Sequence, residues 1–407
     1  MRFYFVFLLC LACSQSGLSQ NAGGMINRPQ KNNRINKLEK SKSNIATLKN
    51  SNSLIAQFEG AYGFSEGLAS VCHNRKWGYI DNTGHVAIPF KYESAGAFKD
   101  GFAPIKIDGQ WGYIDKSERI VIPCHYESAN SFNLIKEGLA KVKLNGKWGC
   151  IDKNGQIVIQ CIYDELKHFC EGLACVKRNG RWGYVDESGE EVIPCIYHDA
   201  HCFQEGLASV AKYSHQYGCI DKTGQIVIPF IYGNPFFFKG GTAVVSILDN
   251  GSLSSKYGII DKNGNIILPF NYDHILSSDN ELYLARINGK YGYIDITGRI
   301  IIPAVFEDAL SFQEGMAPVK IDGKWGYIDR TGKVIIPCKY AWAYYFKSGH
   351  AHVERNGKYG FVDKTGREVV PCKYDIVQDD FCEGFTKSMI NGKYRFVDKK
   401  GNPLLLK

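Results

Sequence analysis

Hydrophobic and polar positions along this chain follow one pattern, and the pattern returns ten times. Its unit runs F-x-E-G-L-A-x-V-x-x-x-G-K-W-G-Y-I-D-K-T-G-x-I-V-I-P-x-x-Y, and a good copy extends from Phe312 to Tyr340. Three short runs in that copy, 317–321, 325–329 and 334–336, are rich in β-branched and aromatic residues and are bounded by Gly, Asp and Pro, so each predicts a strand. No apolar run of helical period and length intervenes, which makes the chain all-β. Along the middle strand Trp325, Tyr327 and Asp329 face one way and Gly326 and Ile328 the other, so both faces need cover.

The copies are in phase. An aromatic followed by glycine recurs at Trp77, Trp111, Trp148, Trp182, Tyr217, Tyr257, Tyr291, Trp325 and Tyr359, and a tenth copy reads Tyr394-Arg395. The steps are 34, 37, 34, 35, 40, 34, 34, 34 and 35 residues. Self-similarity at that period marks a repeat architecture in which each unit covers its neighbour. The turns have identifiable chemistry. Gly323 before Lys324 supplies a residue tolerant of positive φ in a tight hairpin. Asp329 to Gly332 fits a type I turn, with the carboxylate bonding the backbone two residues on and Gly332 in the left-handed position. Asp holds that place in all ten copies, from Asp81 to Asp398. Glu118 stands where the second copy should have Gly, which predicts a strained or altered turn. Proline at the end of the third run, Pro89 to Pro371 in eight copies, should terminate the strand.

These features predict an open, gently curved, solenoid-like array of about ten three-stranded units of about 34 residues. A closed propeller-like ring is the alternative. Propeller blades usually need more than about 40 residues and number at most about eight, which favours the open form.

Three segments are expected: a signal peptide at 1–19, a disordered basic linker at 20–57 and the array at 58–407. The apolar block from Phe3 to Ala12 has the length of a secretory h-region and is too short to span a membrane. Cys13 leaves lipidation as a minor alternative. Of the net charge of +8, Arg2 and the linker carry +7, so the array is near neutral. A nucleic-acid partner would need a basic stripe on the folded part, and none is predicted. Nor is a membrane-spanning body.

Candidate chemistry is sparse. No nucleophile elbow, zincin, phosphate-loop or dinucleotide motif occurs. Glu before Gly (Glu66, Glu137, Glu171, Glu205, Glu314, Glu383) recurs too regularly to be catalytic and reads as a turn or capping element. Cys124, Cys161, Cys195, Cys338 and Cys372 share a slot that other copies fill with Phe, which marks an apolar position for free thiols; a ladder disulfide such as Cys338–Cys372 is the alternative. Metal-type ligands crowd one region that includes His168, Cys170 and Cys175. The candidate zinc set drawn from it is Cys161, Cys195, His198, His201 and Cys202, although the spacings match no usual structural zinc pattern. Departures from the repeat point to a possible recognition surface: an insertion around 247–254, the cluster Phe236, Phe237 and Phe238, and a second cluster of Trp342, Tyr344 and Tyr345. The competing reading is that these rings fill the core. Trp77, Trp111, Trp148, Trp182, Trp325, Asp81, Asp329 and Gly332 are read as structural.

The K-W-G-Y-I-D core followed by T-G-x-I-V-I-P resembles the WG-repeat family of bacterial proteins, over essentially all of 58–407. The resemblance implies a β-repeat scaffold, often exported, with no catalytic residues and no cofactor. The expected function is that of an exported, non-enzymatic scaffold for protein–protein interaction, periplasmic or secreted. A glycan- or peptide-binding module in repeats five to nine is the alternative, with cell-surface glycan as its ligand, and a zinc protein is a weaker one.

Overall fold

The computed structural model describes residues 57–248, 255–277, 282–377, 381 and 383–405. The expected signal peptide, all but the end of the linker, and most of the insertion (249–254) lie outside them. Ten small antiparallel sheets follow one another along the chain. We call them blades one to ten; blade eight, for instance, covers 308–340 and blade nine 342–374.

The unit has four strands, not three. In blade eight, Met316–Ile321, Lys324–Asp329 and Val334–Tyr340 match the expected runs, and Asp308–Ala309 precedes them. This two-residue strand pairs Asp308 with Lys320 and Ala309 with Val319 at one edge of the sheet. Two residues carry no alternation, so the pattern could not reveal it. The hairpin turns are as tight as the chain allows. Asp322-Gly323 and Glu314-Gly315 both place two consecutive residues at positive φ, the type I′ geometry that matches strand twist. A minimal first strand and two-residue turns let a complete blade fit in about 34 residues.

The array is closed, which overturns the open solenoid. In blade eight Trp325 pairs with Tyr340 of its own fourth strand. In blade ten the equivalent Tyr394 pairs with Phe58, from the far end of the array: Phe58 N–H donates to Tyr394 O at 3.0 Å and Tyr394 N–H to Phe58 O at 2.9 Å. Pro403 bridges Val397 in the same blade. Phe58, Ala61 and Phe64 share one core cluster with Phe396 and Leu404. Blade ten therefore completes its sheet from both ends of the array, and the fold is a ten-bladed β-propeller.

Between blades the Tyr of the W-G-Y triplet acts as a latch. Tyr79, Tyr113, Tyr184, Tyr293 and Tyr327 each donate a hydrogen bond to a backbone carbonyl 17 residues on, in the next blade, at 2.7–2.8 Å. Each ring also packs on the next blade's Phe, as Tyr327 does on Phe346 at 4.9 Å. Burial of an aromatic ring together with its hydroxyl's partner makes a contact that is both apolar and directional.

The glycine behind the aromatic serves its own blade. The fourth strand bulges over it. Pairing skips from Trp325↔Tyr340 to Tyr327↔Ile336, so Pro337, Cys338 and Lys339 arch across Gly326. Proline does not end the strand but sits within this bulge, on an edge strand where its missing N–H is harmless. The Cys-or-Phe slot lies directly on the glycine and is half-buried rather than enclosed.

The Asp turn is built as expected in all ten copies. Asp329 Oδ1 accepts from Thr331 N, Thr331 Oγ1 and Lys333 N at 2.9, 2.6 and 3.1 Å. Glu118 keeps the turn but is held at φ +66, where the other copies have glycine. Hydrogen bonds from the i+2 hydroxyl, opposed by partial desolvation and reinforced by backbone N–H groups, hold Asp115, Asp186, Asp221, Asp295, Asp329 and Asp363 below the ordinary carboxylate range.

Each of these folded values lies below the unfolded one, so the stability they contribute is full above the unfolded carboxylate pKa and is lost as pH falls through the folded values. Denaturation midpoints should therefore be flat from neutrality down to about pH 5 and decline below about pH 4. Thr331→Ala should lower the midpoint at neutral pH and make the acid decline shallower, since the folded Asp329 value then lies nearer the unfolded one; an unchanged acid limb would show that the hydroxyl does not stabilise the Asp329 carboxylate.

Candidate functional site

Turns, edges and irregular blades are the places where this scaffold can carry chemistry. The recurrent Glu is more than a turn residue, because at five junctions it ties its blade to the next. Glu66 accepts from Gly101 N at 3.1 Å, and Lys116 from the Asp turn of blade two reaches its carboxylate at 3.3 Å. Glu171 with Gly206 and Lys222, Glu205 with Gly241 and Lys262, and Glu314 with Gly349 and Lys364 repeat the arrangement. Glu383 of blade ten accepts from Gly67 N of blade one at 3.1 Å, so the same device crosses the closure. One junction inverts the charges, pairing Lys136 with Glu187. Where Gly240 replaces the acid, Ile296 replaces the lysine. Such matched exchanges are what a structural clamp requires.

The two aromatic clusters divide between core and surface. Phe236 and Phe238 are only 2% and 3% exposed and belong to a blade core, so they offer nothing to a ligand. Phe237 is half-buried and meets His201 edge-on at 5.3 Å. Trp342 lies 4.9 Å from Trp325 and 5.9 Å from Tyr344, and Tyr344 lies on His352 at 3.5 Å. Trp342 and Tyr344 are partly exposed, and the Trp342 indole N–H is buried with no hydrogen-bond partner. Burial pushes the Tyr345 hydroxyl up.

A broader surface lies on the fourth strand, an edge of each four-stranded sheet. Ile196, Ile231 and Val305 occupy one slot there and are 60%, 62% and 62% exposed, with Ile162 beside them in blade three. Ile226, Ile266 and Ile300 share a second exposed slot. Blade six has Asn271 in the first slot, and blades one, eight and nine have Lys91, Lys339 and Lys373. Edge strands are commonly protected by charge, and here the first slot carries none from blade three through blade seven, although Glu191 opens the blade-four strand.

The candidate metal residues are mostly apart. Cys161 and Cys195 cover Gly149 and Gly183 within their own blades. His198 is exposed. His201 Nε2 lies 3.2 Å from Asp199 Oδ2, whose carboxylate also accepts from Tyr217 at 2.8 Å. Only Cys202 of that set lies in a ligand cluster, and its companions are His168 and Cys170: one ligand atom from each lies within 4.8 Å of the others. Cys202 Sγ and His168 Nε2 are 3.3 Å apart. Hydrogen bonds from Cys170 and Cys175, working against burial and aided by His168, hold the Cys202 thiol far below its ordinary range. The hydrogen bond to Cys202, with burial, pushes Cys175 up. The missing signal was register: His168 and Cys202 occupy the same repeat position one blade apart.

Comparison with known families decides what kind of chain this is. The WG containing repeat model matches at 50–77, 77–111, 111–148, 148–182, 182–213, 217–250, 257–291, 291–325, 325–359 and 359–394. The chain belongs to the WG-repeat family. Among curated proteins no sequence matches this WG-repeat chain. Similar solved structures include a eukaryotic initiation factor, 10% identical with a TM-score of 0.51 over 74% of this chain and 93% of that one. BamB from Moraxella catarrhalis is 12% identical with a TM-score of 0.36, over 67% of this chain and 98% of its own. Hsv2 from Kluyveromyces lactis is 9% identical with a TM-score of 0.31, over 57% and 89%. The first likeness bears on the fold alone, and the other two are too distant to carry an argument. No helix among the described residues is long and apolar enough to cross a membrane.

Proposed function

We propose that this WG-repeat propeller is an exported, non-enzymatic scaffold that binds a protein partner along the rim formed by its fourth strands. The largely apolar edge of blades three to seven, in whose fourth strands Glu191 is the one charged residue, is the observation that supports this. Single exposed aliphatics are ordinary on protein surfaces, but Ile162, Ile196 and Ile231 fill the same slot in three successive blades. Such a strip is the kind of patch that marks an interaction surface. Export is inferred from the terminal apolar block at 3–12, and the near-neutral array argues against nucleic acid. The glycan or peptide alternative draws its support from the partly exposed rings of Trp342 and Tyr344 in blade nine.

The test is a crosslinked pull-down with an Ile196→Lys/Ile231→Lys variant. Lysine at this slot is already native to blades eight and nine, so the fold should be unchanged. Capture of the partner seen with the unaltered protein should be lost. Undiminished capture would remove the rim from consideration. Polysaccharide binding that disappears in Trp342→Ala, with no protein captured, would establish the glycan reading instead.

A further inference from the structure

We propose that His168, Cys170 and Cys202 bind a thiophilic metal ion of the zinc class across the junction of blades four and five. Zinc bound to thiolate at about 2.3 Å and to imidazole at about 2.0 Å, with tetrahedral angles, places sulfur and nitrogen about 3.5 Å apart and two sulfurs about 3.8 Å apart. The 3.3 Å between Cys202 Sγ and His168 Nε2, with all three ligand atoms within 4.8 Å of one another, fits one ion with small side-chain adjustments. Two cysteines and a histidine form a soft donor set with a fourth position left over, and the exposed His168 side gives that position access to solvent. Cys175 is buried in the blade core and is not among the ligand atoms that lie within 4.8 Å of one another, so it is left out of the donor set.

The repeat supplies its own control. At the junction of blades two and three the slots of His168, Cys170, Cys175 and Cys202 hold Ala97, Lys99, Pro104 and Ser131. The spatial relation is the same there, since Ser131 Oγ donates to Ala97 O at 2.8 Å. At other junctions sulfur or imidazole enters these slots singly, as at His352 and Cys382, whereas here all four have changed together. The backbone has changed with them. The first strand of blade four runs six residues, Glu165–Cys170, where most blades have two, with a register shift between Leu166 and Phe169. Ile135 O, from the lengthened third repeat, accepts from Phe169 N at 2.9 Å and pins the strand between the two ligands it carries. The ion would clamp two adjacent blades where no acid–lysine pair of the usual polarity stands on the preceding side.

The experiment is a zinc titration of the reduced, chelator-treated full chain, repeated with cobalt as a spectroscopic probe. One ion per chain and a thiolate-to-cobalt charge-transfer band are expected. Cys202→Ser and Cys170→Ser should abolish both, and His168→Ala should weaken binding at least about tenfold. A Cys161→Ser/Cys195→Ser variant should bind as the unaltered chain does. Serine and alanine are what the fold itself carries at Ser131 and Ala97, and denaturation midpoints of the metal-free variants check that folding is intact. Zinc uptake unaffected by Cys202→Ser, no binding at micromolar zinc, or a Cys170–Cys202 disulfide in the isolated protein would each overturn the proposal.

Discussion

Gly326→Val should cost more than about 4 kcal/mol and leave little folded protein, whereas Gly323→Ala, three residues away, should cost only about 1–2 kcal/mol. A side chain at Gly326 would put its Cβ 2.5 Å from Ile336 O and 2.7 Å from Cys338 N, and both are backbone atoms of the bulge. A flexible side chain could rotate away; a bulged strand anchored by Trp325↔Tyr340 on one side and Tyr327↔Ile336 on the other cannot. Gly323 has no atom within 4 Å of its virtual Cβ, so its substitution carries only the penalty of a left-handed φ of +72. Urea denaturation of the two variants checks the contrast, and equal, mild losses would mean that the bulge is not seated on the glycine. Blade ten gives a natural precedent. Arg395 stands at the glycine position there, and its fourth strand is assembled from residues 403–404 and Phe58, so no continuous bulge crosses it among the described residues.

Much of this blade was legible because its information is local. Alternation and turn chemistry located the three longer strands and the Asp turn, and the phase of the W-G pairs counted ten units. The two-residue strand at Asp308–Ala309 was not legible, because pattern needs length. The bulge was missed because proline reads as a stop when the chain on either side is treated as one straight strand. Closure stood only as the alternative to the open array for a different reason. Each copy of a repeat describes contacts with its neighbours, and those contacts are much the same in an open array and a ring; the difference lies in Phe58 meeting Tyr394, which no single copy encodes. The placement of the site candidates was hidden in the same way. Phe236, Phe237 and Phe238 look alike in sequence, but the chain leading into the Phe238–Lys239 strand buries the first and third. Cys161 and Cys195 share a repeat slot with each other, not with the cluster at Cys202, and only register through the blades separates them.

Phe58→Ala should lower stability by about 3–5 kcal/mol, and its effect should appear at both ends of the array. Closing a loop of more than about 300 residues costs about 5 kcal/mol in chain entropy, so the closing contacts must supply at least that much. They consist of a fully buried Phe58 ring packed among Phe64, Phe396 and Leu404, two backbone hydrogen bonds with Tyr394, the Glu383 carboxylate on Gly67 N, and Lys387 Nζ on Ala61 O at 2.9 Å. Removing the ring leaves a cavity shared by blades one and ten, and the remaining polar contacts then have to hold the junction against solvent. Amide hydrogen exchange should therefore accelerate in Leu68–His73 and in Phe385–Ile390 together, although these strands are far apart in sequence. In an open array the same substitution would fray only the terminal repeat and leave the last one protected. Unchanged protection in Phe385–Ile390 would break the argument for closure, while loss at both ends would show that the ring is held by the side chain that begins it.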